Sequence, residues 1–166
     1  MSLVLETGAG LPSAQSYAGV VAFKAYAKAR GASVPAGESA CEVLLLKAMD
    51  AMQGLDYIGN RATKAQALDW PRVNVTIDGF AYGTAELPIQ LVEAQCALAI
   101  EAQKVDLLPT QNINAQGAVI EETMGAITTR YADPGRTLSR PIVEKAKAHL
   151  RKLLRGGDSF MRVVRA

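Results

Sequence analysis

The sequence has few of the side chains on which catalysis and metal binding depend. Among 166 residues there is a single histidine, His149, and there are two cysteines, Cys41 and Cys96. A nucleophile needs a neighbouring base, and a classical zinc site needs several Cys or His ligands. The histidine lies among lysines, and the chain contains no Cys-x-x-Cys, G-x-S-x-G, P-loop or dinucleotide-binding motif. We therefore expect no enzyme activity, no catalytic or metal-ligating residues, and no cofactor.

The sequence also lacks long apolar runs and is poor in aromatic residues. No run reaches the length of a membrane span, and the N-terminus has no basic flank or long apolar stretch of the signal-peptide type. We expect a cytoplasmic protein without membrane contact. Hydrophobic residues make up 49% of the chain but aromatic residues only 5%, so the core is thin and oligomerisation would add burial. The length fits one domain over 1–166, with a C-terminal arm at about 156–166.

Basic residues are concentrated near the C-terminus, although the net charge is only +2. From Arg136 onwards there are nine Lys and Arg residues against two acidic ones. Such a region suits a polyanion or an acidic partner, and a solvated basic face is the alternative. The candidate contacts, all in the last predicted helix, are Lys145, Lys147, Arg151, Lys152 and Arg155.

The same helix lacks the aromatic side chains that single-strand binding requires. Lysine and arginine clusters hold phosphates without base specificity, and single-strand binders also stack bases on aromatic side chains. The basic helix contains no aromatic residue, and only Phe160 follows it. This argues against single-strand binding, and any contact with DNA would be non-specific.

The periodicity of apolar residues predicts a mainly α fold, with four helices and a β-hairpin or β-arm before the last one. The predicted helices are Ser16–Arg30 with Ser16 as N-cap, Gly37–Gln53, Pro88 to about Lys104, and a last helix from Ser139 to about Arg155. One β-prone stretch is Val73–Tyr82, which the turn dipeptide Asp78-Gly79 breaks, so it is predicted to form a small hairpin. The other is Ala118–Tyr131.

The segment from Asn60 to Arg72 is the most distinctive part of the chain. It contains the only tryptophan, Trp70, directly before Pro71. A residue before proline is driven towards extended conformations, so Trp70 should end a turn. Either it fixes a loop to the core, or it is a contact residue in a subunit interface, where Trp and Arg are enriched. We expect Trp70 to be mainly structural and Arg61 and Arg72 to be the better candidates for contact with a neighbouring subunit.

This segment carries a family resemblance. Its pattern resembles that of small tailed-phage proteins of the DnaT-like single-stranded-DNA-binding family, which are themselves similar to head–tail connector proteins. The resemblance spans roughly Val4 to Leu154. The matching residues are Tyr57, Gly59, Arg61, Thr63, Gln66, Ala67, Leu68, Trp70, Pro71 and Arg72.

The resemblance implies a connector-like domain with a structural role. On this interpretation the protein is a head–tail connector, or adaptor, of a phage or prophage. It forms a homo-oligomeric ring at the portal vertex, contacts portal and tail-side proteins, and is assembled in the bacterial cytoplasm into the virion. The alternative is a DnaT-like single-stranded-DNA-binding protein that holds DNA on the basic helix. Ring formation without salt-sensitive DNA affinity would favour the first hypothesis, and salt-sensitive DNA binding the second.

Overall fold

The computed structural model describes residues 3–108, 121–124, 127–130 and 144–156. The helices of this part are α1 (Val20–Ala29), α2 (Glu38–Met52), α3 (Ile89–Glu101) and α4 (Glu144–Leu150). Helix α3 packs against the three others and so lies at the centre of the helical part. The largest fully buried side chains come from the helices and from the chain between them; they include Phe23, Leu45, Met52, Tyr57, Leu68, Trp70, Leu91 and Leu150.

The strands of the described residues pair in antiparallel couples. They are β1 (Asn60–Arg61) with β2 (Arg72–Val73), β3 (Val75–Ile77) with β4 (Phe80–Tyr82), and β5 (Glu121–Met124) with β6 (Ile127–Arg130). The β3–β4 hairpin turns at Asp78 and Gly79, whose φ angles of 54° and 85° suit a tight hairpin turn. The turn dipeptide predicted this hairpin correctly.

The prediction of a mainly α, four-helix connector-like fold is wrong. The helices of the described residues span only 10, 15, 13 and 7 residues, beside three two-stranded sheets. Much of the core comes from outside the helices, because Tyr17, Tyr57, Leu68 and Trp70 are all buried in non-helical chain. Periodicity detects an apolar helix face but gives no signal for irregular chain that is buried. The fold therefore mixes helices with short antiparallel sheets and buried loops.

The N-cap of helix α1 lies three residues later than predicted. Ser16 is not its N-cap, because Gly19 takes that position without any side-chain capping bond. Instead the Ser16 hydroxyl is buried, donates to the Ala18 carbonyl oxygen and accepts from the Gln95 amide. Helices α2 and α3 lie within the predicted ranges. The predicted start of the last helix at Ser139 and the C-terminal arm beyond Gly156 lie outside the described residues.

Both cysteines are buried and unpaired. Burial raises the pKa of the Cys96 thiol to about 12, so this thiol stays protonated at neutral pH. The Cys41 thiol donates to the Pro35 carbonyl oxygen. Among the described residues, no helix is both long enough and apolar enough to cross a membrane.

Candidate nucleic-acid interface

Trp70 lies in the core. Its side chain is fully buried and meets the Tyr57 ring edge-on, with the ring centroids 6.4 Å apart at an angle of 87°. The Trp70 backbone N–H donates to the Tyr17 hydroxyl at 3.0 Å. Burial raises the pKa of Tyr17 and Tyr57, so both remain neutral hydroxyls. Trp70 thus fixes the loop before Pro71 to the core. A subunit contact by Trp70 stays a prediction.

Arg72 is also buried, and its guanidinium serves the fold. It donates to the carbonyl oxygens of Tyr57, Ile58 and Gly59 at 3.2, 2.7 and 2.9 Å, and to that of Asp69 at 3.2 Å. Desolvation lowers the pKa of Arg72, while the nearby Asp69 carboxylate opposes that shift. The side chain therefore ties the chain at residues 57–59 to the turn before β2. Its contact with a neighbouring subunit stays a prediction.

Arg61 is exposed but engaged with its own loop. Its guanidinium donates to the carbonyl oxygens of Gln66 and Leu68. Gln66 is buried, accepts from the Thr63 N–H at 2.8 Å and donates to the carbonyl oxygens of Leu68 and Pro71. These bonds explain why the segment carries polar residues at fixed spacings: they satisfy the backbone of a compact loop. A subunit contact by the exposed side of Arg61 stays a prediction.

The predicted basic residues lie on α4 and the turns that follow it. Lys145, Arg151, Lys152 and Arg155 are exposed, and Lys147 is half-buried. Within the described residues, salt bridges are found for Lys152 and Arg155 but not for the other three. The helix contributes its buried side to the core through Ala146 and Leu150 and leaves its basic side outward.

The end of the basic segment is fastened to the chain around residue 57. The Ile58 N–H donates to the Leu153 carbonyl oxygen at 2.9 Å, and the Arg155 N–H donates to the Asp56 carbonyl oxygen at 2.7 Å. The Arg155 guanidinium donates to the Gly59 carbonyl oxygen at 3.0 Å and lies 3.8 Å from the Asp56 carboxylate. Arg155 therefore has a fixed position in the fold.

Those contacts bring the basic segment alongside the β3–β4 hairpin. At one end, a Cβ on Gly59 would overlap the Val73 carbonyl oxygen and come within 2.6 Å of the Val75 side chain, so Gly59, and with it Arg155, lies close to the start of β3. At the other end, Lys152 Nζ lies 2.6 Å from Asp78 Oδ2 in the turn. Arg155 and Lys152 therefore lie near the two ends of β3.

Phe80 is the aromatic residue that the sequence analysis missed. It pairs with Ile77 in the hairpin, yet its side chain is 74% exposed while Ile77 is 6% exposed. It stands two residues from Asp78, the partner of Lys152, so the hairpin that carries this open ring contacts the basic segment. The basic helix itself contains no aromatic residue. A phenylalanine placed directly after an Asp-Gly turn was the available signal, because a hairpin tip rarely buries its side chains.

A polar cluster holds the other side of α4. Glu93 Oε2 lies 3.1 Å from His149 Nδ1, and His149 Nε2 lies 3.2 Å from the Tyr26 hydroxyl. Arg30 lies 3.6 Å from Glu93 and has its guanidinium carbon 3.5 Å from the centre of the Tyr26 ring. Burial raises the pKa of Tyr26, and Arg30 opposes that rise. His149 is thus a packing residue between α1, α3 and α4 and not part of a solvated face.

Comparison with known proteins gives one family. The family model described as "Putative DnaT-like ssDNA binding protein" matches residues 1–166, the whole chain. No curated protein and no solved structure matches the chain. Within the described residues, no group of three or more His, Cys, Asp or Glu side chains is arranged to hold a metal ion.

Proposed function

We infer that this chain, which belongs to the family of DnaT-like ssDNA-binding proteins, binds single-stranded DNA on one side of the β3–β4 hairpin. The hairpin surface, as we call it, consists of Phe80, Lys152 and Arg155. Three further cations on α4 and the turn after it extend the surface: Lys145, Lys147 and Arg151. The observation that carries the proposal is the 74% exposure of Phe80 two residues from the Asp78–Lys152 contact.

The two kinds of side chain have different tasks. The cations attract the phosphates of the strand, and each neutralised phosphate releases counterions, so binding weakens as salt increases. The Phe80 ring offers a flat apolar face to an unpaired base, and stacking on an aromatic side chain contributes about 1–3 kcal/mol per base. A duplex keeps its bases stacked on one another and cannot use this face. The ring therefore favours single strands over duplexes without selecting a sequence.

The fold keeps the hairpin surface in place before DNA arrives. Arg155 is held by the Gly59 carbonyl oxygen, and the chain around Leu153 is hydrogen-bonded to Ile58. The hairpin rests on the core through Val75 and Ile77, which are 2% and 6% exposed. A site formed in advance loses less conformational entropy when it binds.

Replacement of the Phe80 ring tests the proposal. We expect Phe80→Ala to weaken binding of a fluorescein-labelled oligothymidylate roughly tenfold in an anisotropy titration, because one stacked base is lost. Phe80→Tyr keeps the ring and should bind nearly as well as the original chain. Lys152→Ala should also weaken binding, because a phosphate contact is lost.

A matched control separates stacking from general surface change. Val21→Ala removes another highly exposed apolar side chain, 82% exposed on α1, and should leave the affinity unchanged. If Phe80→Ala binds as tightly as the original chain, with Trp70 fluorescence unchanged, the hairpin surface does not bind single-stranded DNA as proposed.

A second candidate function is a structural one. We propose, as the alternative, that the chain is a ring-forming head–tail connector at the portal vertex of a tailed-phage virion. The specific support is the exposure of apolar side chains on the outer sides of the first two helices: Val21 is 82% exposed, Val43 is 49% exposed and Leu46 is 36% exposed. Such positions suit contact with a second copy or with portal and tail-side proteins.

Light scattering and DNA titration on the same sample separate the two candidates. The DNA-binding proposal expects salt-sensitive affinity for single strands that does not require a large ring. The connector alternative expects ring-sized particles as concentration rises, with little DNA affinity. A compact monomer at every concentration that binds single strands tightly would contradict the connector role.

A further inference from the structure

The hairpin surface contains a carboxylate in contact with one of its cations. Lys152 Nζ lies 2.6 Å from Asp78 Oδ2, although the lysine and aspartate side chains are 62% and 59% exposed. Asp78 occupies the hairpin turn, two residues before the open ring of Phe80. An acidic side chain therefore stands where a phosphate of a stacked strand would approach.

We propose that Asp78 is an autoinhibitory residue of the hairpin surface, occupying Lys152 until a phosphate displaces it. The inference rests on the proposed function, since it concerns how the same surface is regulated. A carboxylate and a phosphate offer the same ammonium group similar anionic oxygens, so they compete for it. An exposed ion pair is weak, so a DNA strand can displace Asp78, and the strand's affinity is reduced by the cost of doing so.

Two consequences follow from this exchange. Asp78 lowers the affinity for single-stranded DNA, both by occupying Lys152 and by repelling the incoming phosphate. It also makes binding less sensitive to salt, because as many ion pairs are broken as are formed at Lys152. Removal of the charge at position 78 should therefore raise affinity and steepen the salt dependence together.

Asparagine is the right replacement at this position. Asp78 has a φ of 54°, in the left-handed region that Asn tolerates nearly as well as Asp. Asp78→Asn thus removes the charge and keeps the turn. Asp50→Asn is the matched control, because it makes the same change in net charge on the exposed side of α2.

The test is an anisotropy titration of the full chain with a labelled oligothymidylate at several salt concentrations. We expect Asp78→Asn to bind up to about fivefold more tightly at low salt and to steepen the slope of log affinity against log salt by up to about 0.7. Asp50→Asn should change neither quantity. In a Lys152→Ala background, Asp78→Asn should lose most of its effect, because the cation that it releases is gone.

The other outcomes identify which idea fails. If the original chain binds and Phe80→Ala weakens it, but Asp78→Asn leaves affinity unchanged or lower, the autoinhibitory role is overturned and the proposed function stands. The same conclusion holds if the gain persists in the Lys152→Ala background or appears equally in Asp50→Asn. If neither the original chain nor Asp78→Asn binds single strands, both ideas fall. Unchanged Trp70 fluorescence in each variant verifies that the comparison is between folded proteins.

Discussion

Gln95 shows how single polar side chains support the irregular part of this core. Its buried amide oxygen accepts from the N–H groups of Tyr17 and Ala18 at 3.0 and 2.9 Å. Its amide nitrogen donates to the Ser16 hydroxyl at 2.7 Å and to the Leu45 carbonyl oxygen at 3.0 Å. The amide thus makes all four of the hydrogen bonds open to it. One side chain on α3 joins the loop before α1 to α2.

Glu6 satisfies a glycine-rich turn in a comparable way. Its carboxylate is 2% exposed and accepts from the backbone N–H groups of Gly8, Gly10 and Leu11 at 2.8, 2.9 and 2.8 Å. Gly8 has a φ of 101°, and a Cβ there would overlap the Ala85 carbonyl oxygen. The turn is therefore built on a buried carboxylate and a close backbone approach, both of which a larger residue at position 8 would disrupt.

At the residue scale, Arg72→Lys tests whether the guanidinium is structural. A lysine cannot reproduce the fork that serves four carbonyl oxygens, so we expect a loss of about 2–3 kcal/mol in the free energy of unfolding. Urea unfolding followed by Trp70 fluorescence measures it, since Trp70 is the only tryptophan. Arg61→Lys, at an exposed position, should cost much less. Equal losses in the two variants would contradict a special role for Arg72.

Some of these residue-scale interactions could be predicted from the sequence. Tryptophan before proline, after an apolar helix, predicted that Trp70 fixes a loop to the core, because the indole is large and the proline restricts the chain. The partners of Arg72 and Gln95 could not be predicted, because they are carbonyl and N–H groups of distant segments. Phe80 was missed for the same reason: the hairpin that carries it meets the basic segment through the contact of Asp78 with Lys152, residues 74 apart in sequence.

At the scale of elements, α4 is docked at two separated places. The cluster around His149 and Glu93 attaches one side of the helix to α1 and α3. The bonds of Leu153 and Arg155 to Ile58 and Asp56 attach the chain that follows it. The seven residues of this helix are too few to be stable alone, so its docking contacts maintain both the helix and the position of its cations.

Glu93→Gln should loosen α4. The change removes the charge that Arg30 and His149 contact at 3.6 and 3.1 Å; because these side chains are partly exposed, the loss should be about 0.5–1 kcal/mol. We expect amide hydrogen exchange in α4 to accelerate about two- to fivefold, with a modest loss of affinity for single strands. Glu101→Gln, whose carboxylate pairs with Lys104 in the turn after α3, is the control. Equal α4 protection in both variants would contradict the docking role of Glu93.

Helix and hairpin positions were the most predictable elements. Regular apolar spacing located α2 and α3, and the Asp78-Gly79 dipeptide located the β3–β4 hairpin. The start of α1 was misplaced because Ser16 satisfies the Ala18 carbonyl oxygen and Gln95, an alternative that local capping rules do not include. The mainly α fold was a wrong prediction, since the buried loops have no periodic pattern of their own.

At the scale of the whole molecule, the proposed DNA binding depends on one alignment of distant segments. The basic residues after position 144, the loop around residue 57 and the hairpin at residues 75–82 meet along one side. The basic segment is evident in the sequence, but its helix contains no aromatic residue. In the fold, the β3–β4 hairpin that carries the exposed Phe80 contacts the basic segment, and this favours the DNA-binding alternative over the connector role preferred on sequence alone.

Photochemical crosslinking tests the central claim most directly. A single strand that carries a photoreactive thymidine analogue is bound to the full chain and irradiated, and the adduct is located by peptide mass spectrometry. The account predicts an adduct on Phe80 that excess unlabelled single strand suppresses and that Phe80→Leu abolishes without loss of fold. Adducts confined to residues away from the β3–β4 hairpin and α4, and unchanged in Phe80→Leu, would contradict it.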